Sequence, residues 1–131
     1  MFSFRKEERL CSKILIDKLF SNGKSFVSYP FKINYFFVEQ NQNVPLQLLI
    51  SVSKRNFKSA VKRNFIKRQI RESFRNNKDK IYNTLINCKI NLIVSFTYLS
   101  NEISETYIIQ ECLKKVMVKL EDIIQKKISN N

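Results

Sequence analysis

A chain of 131 residues that is 44% hydrophobic carries a formal net charge of +13 and no histidine. It is long enough for one domain with a buried core and too apolar for disorder. The charge therefore sits on a folded body and points to nucleic acid first, an anionic membrane second. Without histidine there is no Ser-His or Cys-His nucleophile pair and no usual zinc constellation, which leaves carboxylates or lysine for any protein-borne catalysis.

Residues 1–9 are polar and charged and read as a loose N-terminal arm on a single domain spanning 1–131. No small-residue cleavage site follows them, and the apolar runs are strand-length, well under the ~20 residues of a membrane span. Neither a secretory signal nor a membrane partner is expected. Leu10 to Phe20 reads as a short helix with Ile14, Leu15, Leu19 and Phe20 on an apolar stripe. Ser12 serves as its N-cap, and Gly23, the single glycine, is expected in left-handed conformation at its end.

Phe26 to Val38 alternates as one strand, with Phe31, Ile33, Tyr35 and Phe37 on one face and Lys32, Asn34 and Phe36 on the other. These aromatics serve either as core or as stacking platforms for splayed bases, and Tyr35 is the best candidate for exposure because its hydroxyl needs a partner. The polar run 39–45 ends in proline and reads as a loop joining two antiparallel neighbours. Leu46 to Ser53 is the next strand.

Ser51 to Arg75 holds nine basic residues against one acid, Glu72, and so +8 of the net +13. From Ala60 the period is helical. On a wheel at 100° per residue, Ile66, Ile70 and Phe74 form a packing stripe, while Asn64, Lys67, Arg68, Arg71 and Arg75 form a continuous basic face. Like charges at this spacing repel by a few tenths of a kcal/mol per pair, so the arrangement gains nothing locally. A solvated surface is the plainer reading, but the single sign and the clustering favour contact with phosphates, where arginine offers bidentate geometry. Phe65 lies off both faces.

Residues 78–87 read as a polar connection with room for another helical turn around Ile81, Leu85 and Ile86. Ile90 to Leu99 is a buried strand. After caps offered by residues 100–104, Ile109, Leu113, Val116, Leu120 and Ile123 mark a last helix running to about Lys127. Cys11, Cys88 and Cys112 are odd in number and scattered, and read as small core hydrophobes in a reducing cytoplasm. The acids Glu7-Glu8, Glu102 with Glu105, and Glu121-Asp122 carry no mark of metal ligands or an acid/base pair. The class is α+β, a small, mainly antiparallel sheet packed with helices in the order α-β-β-α-β-α.

The runs Ser51-Val-Ser-Lys54 and Ala60-Val-Lys-Arg63-Asn64-Phe65-Ile-Lys67-Arg68-Gln-Ile-Arg71-Glu72 together resemble the signature of the bacterial ribonuclease P protein component, an SVSK strand end followed by a helix with an RNR-type core. Two departures stand out. Phe65 replaces the second arginine of that core, and the family's common glycine after SVSK is missing from an approach that is one residue longer. The resemblance implies an RNA-binding subunit in tRNA processing. A partner RNA subunit, which holds the catalytic centre and its Mg²⁺ ions, would remove the 5′ leader of precursor tRNA, and the protein would carry no catalytic residue, metal or small-molecule substrate of its own. It also implies a left-handed βαβ crossover, against the usual right-handed rule. By position it places Arg63, Asn64, Lys67, Arg68 and Arg71 on the RNA-binding surface, to which the run of basic residues adds Lys54, Arg55 and Arg75. Phe20 would line a leader-binding cleft with a strand residue, Tyr35, for which the register also allows Asn34. A structural, ribosomal-type RNA binder and a self-contained nuclease are the competing functions.

Overall fold

A computed structural model describes residues 8–38 and 44–129. Eight elements follow in order: α1 (Lys13–Asn22), β1 (Lys24–Ser28), β2 (Phe31–Val38), β3 (Leu46–Val52), α2 (Ala60–Asn77), α3 (Asp79–Cys88), β4 (Asn91–Tyr98) and α4 (Thr106–Ser129). The α+β class and the expected succession of helices and strands hold, with β1 and α3 as additional elements. What reads as one strand from Phe26 is a hairpin, broken at a Tyr29–Pro30 turn.

The sheet order is β1-β2-β4-β3. Strands β1, β2 and β4 pair antiparallel, whereas β3 pairs parallel to β4, with Leu46 opposite Leu92 and Val52 opposite Tyr98. The expectation of an antiparallel β2–β3 pair is therefore wrong. Their loop suggests neighbours, but β4 takes the place between them because it is the most apolar strand, and only the centre of the sheet covers both of its faces. Helices α2 and α3 form the connection between the parallel strands β3 and β4.

Alternation sends one sheet face to each of two cores. Phe31, Ile33, Leu48, Val94 and Phe96 join the main core beneath α2, α3 and α4. On α2 the stripe Ile66, Ile70 and Phe74 is 0% exposed, as its period requires. In α4 the buried positions include Ile109, Leu113, Val116 and Leu120, then Ile124, while Ile123 is only partly covered. The opposite sheet face packs on α1 through Leu10, Leu19 and Ile93, flanked by Leu15, Ile16, Phe36, Val38 and Leu49.

Three local expectations change. In α1, Ile16 packs inward while Ile14 and Phe20 face out, because the helix starts at Lys13 and presents its Leu15–Leu19 side to the sheet. Ser12 does cap it, its Oγ accepting from Leu15 N–H at 3.3 Å. Gly23 is extended, not left-handed. Its need for glycine is steric, since a Cβ there would run into the Leu19 carbonyl oxygen and stand 2.8 Å from that of Tyr35. Cys11 and Cys88 are exposed near helix ends and Cys112 is half-buried, so none is the core hydrophobe expected.

The arm expected over 1–9 lies outside the described residues up to position 7. At Glu8 and Arg9 the chain is held. The Glu8 carboxylate is 0% exposed and pairs with Lys78 at 2.7 Å, and Arg9 bridges to Leu48 on the edge of β3.

Candidate nucleic-acid interface

The basic helix begins where Ser59 Oγ accepts from Lys62 N–H at 3.3 Å. With Ile66, Ile70 and Phe74 sunk in the core, geometry forces the opposite side of α2 outward. Asn64 and Arg68 are exposed there, and Lys67, Arg71 and Arg75 half-buried. Arg75 is tied to Glu72 by an i,i+3 ion pair, which offsets part of its charge. Arg71 is the crowded member. Burial first, then Arg9 and Arg68, hold its guanidinium below the ordinary arginine value. An arginine so placed stays protonated near neutrality, so the repulsion remains until an anion relieves it. A hollow of about 210 Å³ lies between the N-terminal segment, β3 and α2, with Arg9, Lys67 and Arg71 on its wall.

Arg63 is engaged with its own chain. Its Nη1 donates to the carbonyls of Phe57 at 2.6 Å and Lys58 at 3.1 Å. On the wheel it falls at about 300°, within the packing stripe. At this first turn, however, the stripe meets the incoming loop and not the sheet. Phe57 anchors that loop in the core against Tyr98, ring centroids 6.1 Å apart, and Asn56 Nδ2 donates to Leu99 O at 3.4 Å. The exposed Lys54 and Arg55 therefore project from a fastened turn. Phe57 was legible only as an apolar residue stranded among basic ones. Phe65 is 38% exposed on the outer side of α2.

A second surface is the sheet face on the α1 side, beyond the part α1 covers. Asn34 pairs across to Ser25 and to Ser95, and Lys32 to Thr97. Ser95 is buried with no partner for its Oγ among the described residues. Phe20, on the helix that packs against this sheet face, is 51% exposed. Tyr35 turns instead to the α4 face, its ring 6.2 Å from Phe26 and 6.4 Å from Phe37. There it borders a separate hollow of about 580 Å³ with Lys24, Lys126 and Lys127. Strand alternation puts Tyr35 and Asn34 on opposite faces, so Asn34 and not Tyr35 shares the α1 side of the sheet.

Among the described residues no group of three His, Cys, Asp or Glu side chains is placed to hold a metal ion. No described helix is long and apolar enough to cross a membrane.

A basic helix face opposite a buried stripe, together with a sheet face that carries Lys32, Asn34 and Ser95, fits a small polyanion-binding α+β domain. Comparison with known proteins narrows the class. The family profile described as Ribonuclease P matches residues 4–121. A ribonuclease P protein component from Porphyromonas gingivalis is 31% identical over 119 residues, covering 91% of this chain and 87% of that protein. One from Desulfosudis oleivorans is 38% identical over 82 residues, covering 63% and 64%. A Staphylococcus aureus RNase P protein variant superposes with a TM-score of 0.66 at 27% identity, over 88% of this chain and 90% of that one. The Thermotoga maritima protein, at 23% identity and a TM-score of 0.60 over 84% and 94%, shares the fold. The chain belongs to the ribonuclease P protein family.

Proposed function

We propose that this chain is the RNA-binding subunit of a cytoplasmic ribonuclease P, assisting a catalytic RNA in removing the 5′ leader from precursor tRNA. The observation that carries this reading is the α2 face. Its cations stand opposite a stripe that is fully buried, so they stay on the outer side of the helix, where Arg71 is crowded by Arg9 and Arg68. Lys54, Arg55, Asn64, Lys67, Arg68 and Arg71 would contact the phosphates and riboses of the RNA subunit, each neutralised phosphate releasing counterions. Phe20 offers a ring on which a leader base stacks, and Asn34 and Lys32 offer hydrogen bonds and charge to the same strand. Hydrolysis and the Mg²⁺ that supports it are assigned to the RNA.

Mixing the protein with its cognate RNA subunit and precursor tRNA at near-physiological Mg²⁺ tests the reading. Stimulated 5′-leader cleavage is expected, with none from the protein alone. Lack of stimulation overturns the proposal, and tight rRNA binding indifferent to the leader would assign the chain to the ribosomal-type alternative.

A further inference from the structure

The acid pair Glu7-Glu8 sits in a polar stretch of the sequence, yet Glu8 is among the most buried of the described residues. Its carboxylate accepts from Lys78 Nζ at 2.7 Å and from the Tyr82 hydroxyl. Lys78 is itself 6% exposed at the α2–α3 junction, its Nζ 5.0 Å from the centre of the Tyr82 ring. A buried carboxylate is tolerated only when its charge and lone pairs are met, and both of these donors reach Oε2, Lys78 bringing the opposite charge. The clamp fixes where the chain leaves the helices. The next two residues then run along β3, Arg9 bridging to Leu48 and Leu10 N–H donating to Leu48 O at 2.9 Å. That path brings Arg9 to the wall of the hollow shared with Lys67 and Arg71.

We propose that Glu8 is a positioning residue for RNA binding, its clamp to Lys78 and Tyr82 holding Arg9 beside Lys67 and Arg71 so that Arg9 adds its own phosphate contact to theirs on the bound RNA. The inference rests on the function proposed above and deepens it. Because Lys78 cancels the Glu8 charge locally, the hollow keeps its positive sign. Covering the β3 edge is the plainer role of the segment, and the two roles make different predictions. Taking an acid out of a +13 protein by bulk electrostatics alone tightens binding to a polyanion. If Glu8 works through Arg9, its loss weakens binding.

The test is a double-mutant cycle read as the salt dependence of binding to cognate ribonuclease P RNA. Arg9→Ala is expected to lower the slope of log K against log salt by about 0.7–0.9. Glu8→Ala is expected to weaken binding and lower the slope by a similar amount, and the double variant to lower it no further. A wild-type slope in Glu8→Ala, or additive losses in the double variant, would overturn the proposal. Circular dichroism at the assay temperature checks folding. Should Glu8→Ala unfold, Tyr82→Phe removes one donor to the carboxylate and keeps the ring. Its smaller loss of slope must vanish in the Arg9→Ala background, and a loss that persists there overturns the proposal equally. Absence of salt-dependent binding by the wild-type protein would instead overturn the functional reading on which this inference rests.

Discussion

Arg63 separates a structural cation from a binding one, and Arg63→Met isolates the difference by keeping the apolar stem while removing every donor. Two hydrogen bonds from a charged group to loop carbonyls are lost, at 2.6 and 3.1 Å. Bonds to charged groups contribute about 1.5–3 kcal/mol when well buried. Here one is part-buried and the other exposed, so about 2 kcal/mol for the pair is the working figure. For a chain of this size each kcal/mol moves Tm by about 3–5 °C, giving a fall of about 6–10 °C by thermal unfolding. RNA binding measured by fluorescence anisotropy over a range of salt should keep its slope within about 0.3, since the side chain is engaged with its own loop and meets no phosphate. A Tm within about 1 °C of wild type together with a slope lower by about one unit would refute this assignment and put Arg63 in the RNA interface.

Three further outcomes follow from the same geometry. Arg68→Ala, removing an exposed cation from α2, should leave Tm nearly unchanged and lower the salt slope of RNA binding by about one unit; an unchanged slope would place the side chain outside the interface. Gly23→Ala should destabilise by about 1–3 kcal/mol in denaturant unfolding, because the new methyl meets two backbone oxygens that move only with α1 and β2, and a neutral effect would refute the steric account. Asn34→Ala should weaken binding of precursor tRNA carrying a leader more than of mature tRNA with little change in Tm, while Tyr35→Ala should do the reverse; the opposite pattern would put the cleft on the α4 face.

The basic helix was the most legible part of the chain because one period carried two messages. Ile66, Ile70 and Phe74 marked the buried side, and the remaining positions could only be the charged one. Pairing across the sheet was less legible, since nothing local in Leu46–Val52 says that its neighbour is Asn91–Tyr98 and runs parallel. The run from Lys24 to Ser28 hid its strand by having few apolar residues to alternate. Tyr35 is half covered, as its hydroxyl argued, but its ring lies by Phe26 and Phe37 on the α4 side, a placement that exposure alone does not decide. Glu8 was beyond any local pattern, as the lysine that makes its burial tolerable lies on the far side of three strands in the chain.

The central place of β4 bears on how the molecule comes to exist. Val38 must find Asn91 and Phe31 must find Tyr98 before the sheet has a middle. Among the described strands, the β1–β2 hairpin is the one pair that closes locally. Every other pairing waits for a long loop to shut, losing chain entropy before any contact repays it. During that wait one edge of β2 stands bare while the most positively charged stretch of the chain is still being drawn in. Pulse-labelled hydrogen exchange should accordingly protect hairpin amides ahead of those in β4, and simultaneous protection would argue that α2 and α3 bring the distant strand home first.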